Sequence, residues 1–136
     1  MVTDEELMTV ARDARSHAYA PYSEYRVGAA LLANGTIYRG TNIEIRGAAP
    51  IHAEMLATFN AVLDGVTDFQ RIAVSPSGIS GEAPCGQCQY ILAEFTTDLR
   101  IIEDTPNDES FTEYDLTELI GPAYSPQTDH SDSENS

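Results

Sequence analysis

Two short segments of the chain carry residues whose types and spacing suit a metal site. His52 and Glu54 stand two positions apart, and Pro84, Cys85 and Cys88 follow about thirty positions later. An imidazole and two thiolates are ligands that suit Zn²⁺, and three protein ligands leave a fourth position open for water. The pattern therefore favours a catalytic zinc site held by His52, Cys85 and Cys88 over a structural one.

The C-x-x-C segment on its own has three ordinary interpretations: half of a structural zinc site, a thiol–disulfide redox pair, or chance. The sequence contains two cysteines, so a four-cysteine zinc site is excluded within one chain. Cys85 and Cys88 stand three apart at a predicted helix start, which places them on one side. The positive end of a helix favours their thiolate forms, as a metal does.

The chain has three histidines, and we interpret them differently. A lone His52 is more often a helix-start histidine satisfied by a backbone group, but Glu54 and the downstream cysteines reverse that preference. His17 lies late on the first predicted helix and His130 lies in the polar tail, so both are interpreted as structural.

Glu54 has the position of a proton carrier rather than a ligand. Helical residues two apart project about 200° apart, so Glu54 reaches over the open coordination position instead of joining His52 on the metal. A carboxylate there can take a proton from a water and deliver it to a reacting group. The alternative is a surface glutamate, which is common in so acidic a chain.

The charge balance is strongly acidic. The 136 residues carry 22 Asp and Glu against seven basic residues, all of them Arg, for a net charge of −15. This charge opposes binding to nucleic acid, since phosphate backbones require basic neutralisation. Self-repulsion of this size is relieved when salt screens it. The large negative charge and the absence of Lys together predict a protein from a salt-adapted source. The alternative is an acidic protein from a mesophilic source.

Length and cysteine usage indicate one domain in a reducing compartment. No apolar run approaches the roughly 20 residues that a membrane helix needs, and the acidic first residues do not resemble a signal peptide. Both cysteines lie in one motif, so no disulfide framework spans the fold. We expect a cytoplasmic protein that contacts neither membrane nor nucleic acid, with its fold in residues 1–124 and a disordered acidic tail at 125–136.

The patterning predicts an α-β-β-α-β-α-β order and hence a mixed sheet with helices packed against it. Thr3 and Glu6 form a capping box for a first helix that ends near residues 19–21, and Asn34-Gly35 favours a type I′ hairpin. Further helices are predicted from Pro50 to Asp64-Gly65, from near Cys85 through Phe95, and over 114–120, with strands at 27–32, 37–43, 70–75 and 99–103. The two helix N-termini, one bearing His52 and one bearing Cys85 and Cys88, should then meet at one end of the sheet.

Four ordered blocks make the chain resemble the small, nucleoside-specific cytidine deaminases. Besides H-x-E and P-C-x-x-C, which mark zinc nucleobase deaminases, residues 20–31 read A-P-Y-S-E-Y-R-V-G-A-A-L, residues 40–44 read G-T-N-I-E, and residues 119–124 read L-I-G-P-A-Y. These are similar to the family's A-P-Y-S-x-F-x-V-G-A-A-L, G-x-N-[VI]-E and L-L-P-x-A-F. The resemblance implies a three-layer α/β/α fold with a mixed sheet and a Zn²⁺ cofactor.

The resemblance also implies how a nucleoside is held. Asn42 and Glu44 match residues that bind the ribose hydroxyls, and an amide with a carboxylate suits a diol. Tyr25 matches an aromatic residue beside the bound nucleoside. Tyr124 matches one that a neighbouring subunit contributes over the base, since family members are homodimers or homotetramers.

The chain departs from the family pattern at several positions. His52 replaces the Cys of the small tetrameric members, and Met55 replaces the Arg that offsets their third thiolate, so the two changes are electrostatically consistent. Gln89-Tyr90 stands where Arg-Gln is usual. Residues 45–51 differ from the family text and are one residue shorter, in a loop that helps to recognise the base.

The first hypothesis is hydrolytic deamination of cytidine and deoxycytidine to the uridine products and ammonia, an activity of pyrimidine salvage. Water attacks the ring carbon that bears the amino group, and Glu54 moves protons to the ring nitrogen and to the leaving ammonia. The alternatives are deamination of a modified pyrimidine or related aminoheterocycle, a catalytically silent zinc-stabilised binding module, and a C-x-x-C thiol oxidoreductase.

Overall fold

A computed structural model of the protein describes residues 1–78, 84–105 and 110–121. Its centre is a five-stranded sheet with the strand order β2-β1-β3-β4-β5. The strands are β1 (Val27–Ala33), β2 (Thr36–Thr41), β3 (Phe69–Pro76), β4 (Arg100–Asp104) and β5 (Phe111–Asp115). The sheet is mixed, because β3 and β4 run parallel while the other neighbouring pairs are antiparallel.

Helices cover both faces of the sheet and complete three layers. They are α1 (Asp4–Arg15), α2 (Ala53–Leu63), α3 (Gly86–Ala93) and α4 (Leu116–Ile120). The strands present alternate residues to the two faces: Leu31 packs in the cluster with α2, α3 and α4, and Leu32 packs in the cluster with α1. The expected three-layer α/β/α fold with a mixed sheet is thus confirmed. Within the described ranges, no helix is both long and apolar enough to cross a membrane.

Several local signals are confirmed. Thr3 and Glu6 form a reciprocal capping box at the start of α1. Asn34 and Gly35 have φ angles of 50° and 80° and join β1 to β2 as a two-residue hairpin loop, which is the geometry of a type I′ turn. Helix capping by short polar side chains and the positive φ angle of a turn glycine depend on residues only a few positions apart. Both features can therefore be predicted from the sequence.

The first helix ends earlier than predicted. It stops at Arg15 rather than near residues 19–21, so His17 lies beyond it. The backbone of Tyr19 is extended and bridges to Ile43, with its N–H bonded to the Asn42 carbonyl at 3.2 Å and its carbonyl accepting from the Glu44 N–H at 2.9 Å. This long-range pairing takes the backbone groups that a longer helix would need.

The start of α2 is also displaced, and β2 is shorter than predicted. Ile43 and Ile51 exchange two backbone hydrogen bonds of 2.9 Å, which keeps residue 51 extended. The helix therefore begins at Ala53 rather than at Pro50, and His52 becomes its N-cap. The strand predicted to reach residue 43 ends at Thr41.

The prediction of a helix over 114–120 was wrong in its first part. Residues 111–115 form β5, which pairs with β4 and was missing from the predicted element order, and helix α4 is confined to Leu116–Ile120. In β5, Tyr114 lies opposite Ile101 in the ladder. A partner strand satisfies the free edge of β4, and the aromatic and β-branched residues of this segment favour a strand. The predicted tail at 125–136 lies outside the described residues.

The ends of four strands lie together at one edge of the sheet, where they contribute to a site. The amino end of β1 pairs with the carboxyl ends of β2 and β3, as the pairs Gly28–Thr41 and Val27–Pro76 show. The carboxyl end of β4 lies at the same edge because β4 runs parallel to β3.

Gly40 is a point of close approach between β2 and the start of α2. A Cβ atom at this position would lie 2.2 Å from the Ala53 carbonyl oxygen and 2.4 Å from the Ala57 nitrogen. Gly40→Ala is therefore expected to push α2 outwards and to lower the free energy of unfolding by about 1–3 kcal/mol, measured by denaturant titration. Gly47→Ala is the control, since a Cβ there meets nothing within 4 Å; equal stabilities would contradict the prediction.

Candidate metal centre and active site

Three side chains from two helix starts converge at this edge. His52 is the N-cap of α2, Cys85 is the N-cap of α3, and Cys88 lies in the first turn of α3. The Nδ1 atom of His52 lies 3.3 Å from each of the two sulfur atoms. All three donor atoms lie within 4.8 Å of one another. The predicted meeting of two helix N-termini is present.

This donor set fits a zinc ion. With Zn–S near 2.3 Å and Zn–N near 2.0–2.1 Å, tetrahedral geometry separates a sulfur from a nitrogen by about 3.6 Å, close to the observed 3.3 Å. The side chain of Cys88 is fully buried, Cys85 is exposed and His52 is half-buried. His52, Cys85 and Cys88 would hold the ion and leave one ligand position for a small molecule.

Without a cation, the site disfavours two thiolates. Burial raises the pKa of the Cys88 thiol far above its usual range, and the negative charges of Glu54 and Cys85 raise it further. The helix N-terminus that favours a thiolate is therefore outweighed at Cys88. A divalent ion supplies the missing positive charge, as expected for a coordinating thiol.

Glu54 stands beside the ligands without joining them. It occupies the first turn of α2 and is 8% exposed. Among the described residues, the cluster able to hold a metal comprises His52, Cys85 and Cys88 and omits Glu54. Burial raises the pKa of the Glu54 carboxyl, while nearby His52 acts in the opposite direction.

A cavity of about 360 Å³ opens over this group, within the range of roughly 300–1,000 Å³ typical of small-molecule sites. Its described lining includes three carboxylates and no Arg or Lys. The lining residues are Ser23, Tyr25, Val27, Asn42, Glu44, Pro50, Ile51, His52, Ala53, Glu54, Val74, Pro76, Pro84, Cys85 and Glu103.

Asn42 lies in the cavity wall just after β2, where its amide clamps the backbone before β1. Its Oδ1 accepts the Val27 N–H at 2.8 Å, and its Nδ2 donates to the Tyr25 carbonyl at 2.7 Å. A carboxamide has two N–H donors and two acceptor sites, so one of each is left for a ligand.

Glu44 holds the turn that forms another part of the wall. Its Oε1 accepts from the backbone N–H groups of Tyr22 and Ser23 at 2.9 and 3.1 Å, and its Oε2 accepts from the Ser23 hydroxyl. These bonds, led by that of the Ser23 hydroxyl, lower the pKa of the Glu44 carboxyl. Ser23 was not among the predicted site residues, although the A-P-Y-S block contains it.

Of the two predicted aromatic residues, Tyr25 lines the cavity and is 42% exposed. Tyr124 lies outside the described residues. The short loop between residues 43 and 51 is closed by the backbone bonds of Ile43 and Ile51, and Arg46 lies 5.7 Å above the ring of Tyr22.

Glu103 is a cavity residue that the sequence analysis did not single out. It is 4% exposed, at the carboxyl end of β4, and lines the cavity with Glu54 and His52. The available signal was the alternation of the strand, which places Glu103 on the same face as buried Ile101.

The chain matches known proteins over most of its length. Residues 1–103 match the model of the cytidine and deoxycytidylate deaminase zinc-binding region. A cytidine deaminase of Sporosarcina psychrophila is 46% identical over 93 residues, which cover 67% of this chain and 68% of that protein. A cytidine deaminase of Vibrio atlanticus is 33% identical over 129 residues, 90% of this chain but 41% of its own length.

Solved structures agree with the fold. The 1.6 Å crystal structure of cytidine deaminase from Burkholderia pseudomallei has a TM-score of 0.82 at 31% identity, covering 90% of this chain and 100% of that one. Cytidine deaminase from Mycobacterium tuberculosis has a TM-score of 0.76 at 28% identity, covering 91% and 98%. The match across the zinc-binding region, with His52, Cys85 and Cys88 placed to bind Zn²⁺, shows that this chain belongs to the cytidine and deoxycytidylate deaminase family.

Proposed function

We propose that this protein is a zinc-dependent enzyme that hydrolyses cytidine and deoxycytidine to the uridine products and ammonia, an activity of pyrimidine salvage, and that residues 1–124 form the catalytic domain. The observation that carries the proposal is the three-ligand metal centre beside a buried glutamate in a cavity of small-molecule size. A catalytically silent zinc module would have no use for a carboxylate at Glu54. A thiol oxidoreductase relies on thiols of lowered pKa, whereas burial raises the pKa of the Cys88 thiol.

The proposed mechanism assigns proton transfer to Glu54. When bound by His52, Cys85 and Cys88, zinc supplies Lewis-acid activation of water near neutral pH. Glu54 removes a proton from the attacking water, whose oxygen bonds to the ring carbon bearing the amino group. Glu54 delivers this proton to the ring nitrogen, then takes the remaining proton of the new hydroxyl group and gives it to the amino group. The carbon–nitrogen bond breaks, ammonia leaves, and the hydroxyl oxygen becomes the carbonyl of the product.

The ribose is assigned to the residues after β2. Asn42 retains one N–H donor and one acceptor site beyond its backbone bonds, and Glu44 is a charged carboxylate at the same wall. These groups suit the hydroxyls of a sugar. Tyr25 packs against the nucleoside, and Tyr124 of a neighbouring subunit covers the base.

The charge of the cavity supports a nucleoside rather than a phosphorylated or polymeric substrate. Glu44, Glu54 and Glu103 line it, and its described lining has neither Arg nor Lys. A phosphate group would be repelled by these carboxylates and would find no Arg or Lys partner among the described lining residues. The net charge of −15 acts in the same direction over the whole surface.

The test is ammonia release by the purified protein in high salt. Cytidine and deoxycytidine should each yield one ammonia per uridine product, and cytidine monophosphate should react much more slowly. Failure to release ammonia from any of them, with zinc bound and the protein folded, would refute the proposed activity.

A second candidate substrate is a modified pyrimidine nucleoside or related aminoheterocycle. The observation that favours it is the shortened loop ending at Ile51, which lines the cavity where the family recognises the base. A panel of base-modified cytidines separates the two, since the preferred substrate has the highest kcat/KM.

We also propose a cytoplasmic homodimer or homotetramer. Large apolar side chains on the outer surfaces of α2 and α3 support it, since Phe59, Leu63 and Tyr90 are exposed. Extended exposed apolar surface is typical of an interaction face. Light scattering coupled to size exclusion tests the state, and a monomer at micromolar concentration would contradict it.

Adaptation to salt is proposed from the charge alone. With a net charge of −15, potassium chloride should raise the thermal midpoint most steeply between 0.05 and about 0.5 M, because the screening length falls from roughly 14 Å to about 4 Å over that range. A midpoint that fell as potassium chloride was added would refute the proposal.

A further inference from the structure

Glu103 and Asp104 end β4 with their side chains on opposite faces of the sheet. Ile101 belongs to the core cluster beneath α2 and α3, and Ile102 to the cluster beneath α1. Side chains alternate along a strand, so Glu103 faces α2 and α3 while Asp104 faces α1. There Asp104 accepts two hydrogen bonds from Arg12, at 2.8 and 2.7 Å.

On the opposite face of the sheet, Glu103 lines the catalytic cavity. It lies beside Val74 in the parallel ladder, and both residues line the cavity with Glu54 and Cys85. Asp104 is thus a structural partner of Arg12, whereas the equally buried Glu103 is part of the wall that a ligand meets.

The order of the strands indicates which part of a bound nucleoside, the ribose or the base, lies nearer to Glu103. The proposed ribose residue Asn42 follows β2, and Glu103 is the penultimate residue of β4, three strands away in the order β2-β1-β3-β4. At about 4.8 Å per strand, this is a separation of roughly 14 Å. A nucleoside held by its sugar near Asn42 therefore directs its base towards β4.

We propose that Glu103 is a specificity-determining residue whose carboxylate accepts a hydrogen bond from the exocyclic amino group of the substrate and repels the carbonyl oxygen that replaces it in the product. The inference rests on the proposed function. In the proposed ionised form, the carboxylate is an acceptor only, with about four lone-pair sites, so it can receive an N–H in addition to other contacts. This carboxylate has no proton to donate to the carbonyl oxygen of the product, which is also an acceptor.

This arrangement selects substrate over product at the reacting position. Cytidine presents N–H donors there and uridine presents an oxygen. A site that hydrogen-bonds a substrate group rejects an analogue lacking it, because its own polar group is then left without that partner. Glu103 should therefore weaken the binding of uridine and assist its release.

The experiment measures affinities rather than turnover. In the Glu54→Gln background, which is expected to turn over cytidine more slowly by about 10³-fold or more, calorimetry gives the Kd values of cytidine and uridine. Glu103→Gln should lower the ratio of the uridine Kd to the cytidine Kd by about tenfold or more, because a carboxamide can donate to the carbonyl oxygen. The matched control is Glu113→Gln on β5, which makes the same charge change at a side chain 58% exposed.

Three results bear on the inference. A lower ratio in Glu103→Gln, with zinc content and thermal midpoint kept and the control unchanged, supports it. An unchanged ratio overturns it; if Glu103→Gln does not fold, Glu103→Met is judged by the same criterion. Equal affinities for cytidine and uridine with Glu103 intact also overturn it. If the wild type deaminates cytidine and the ratio is unchanged, only this inference fails, whereas no deamination by the wild type refutes the proposed function.

Discussion

Replacing Glu54 by Gln is expected to lower kcat for cytidine by about 10³-fold or more while zinc stays bound. Glutamine preserves the size of this buried side chain but cannot take up and return a proton. Each assisted proton transfer contributes roughly 10²–10⁴-fold, and the proposed mechanism passes protons through this one carboxylate several times. Steady-state ammonia release and zinc analysis on the same sample measure both quantities.

The control for this variant is Glu5→Gln, which removes the same charge from an exposed position in the first turn of α1. It should keep wild-type activity. Full turnover by Glu54→Gln would remove the assignment of Glu54 as proton carrier. Loss of zinc together with turnover would instead assign Glu54 to the stability of the metal centre.

Replacing His52 by Ala is expected to reduce bound zinc from about one ion per chain to a small fraction. His52 is the N-cap of α2, yet its side chain makes no capping hydrogen bond, so the substitution removes a metal ligand without removing a cap. A ligand present at about 1,000 times its Kd stabilises a protein by roughly 4 kcal/mol. For a chain of this size, losing it should lower the thermal midpoint by about 10 °C or more.

His17→Ala is the matched control, since His17 lies beyond α1 and outside the described metal cluster. It should retain zinc and the wild-type midpoint. A chelator should lower the wild-type midpoint towards that of His52→Ala and leave His52→Ala itself nearly unchanged. Stoichiometric zinc in His52→Ala would show that this imidazole is not a required ligand.

The metal centre was predictable because its ligands are recognisable residue types that are separated by short intervals within two segments. The three-residue interval between Cys85 and Cys88 and the two-residue interval between His52 and Glu54 act within one helical turn. The structure brings the two segments together, with Nδ1 of His52 at 3.3 Å from both sulfur atoms. What spacing did not show is that burial disfavours the thiolate of Cys88 in the absence of a cation.

The limits of the helices were less predictable because remote backbone partners decide them. The capping box at Thr3 lies within one turn and appears as expected. By contrast, the start of α2 depends on the pairing of Ile43 with Ile51, and the end of α1 on the bridge from Tyr19 to Ile43. The aromatic and β-branched residues of 111–115 are compatible with a strand, but they do not specify its pairing with β4.

By itself, the sequence determined the zinc ligands, the candidate proton carrier, the hairpin and the family, since these depend on residue identity and on intervals of a few positions. Only the tertiary structure decided that Asn42 and Glu44 also hold backbone. It alone decided that Asp104 meets Arg12 while Glu103 enters the cavity. The physical reason is register: a shift of one residue along a strand exchanges its two faces, and register is set by partners distant in the chain.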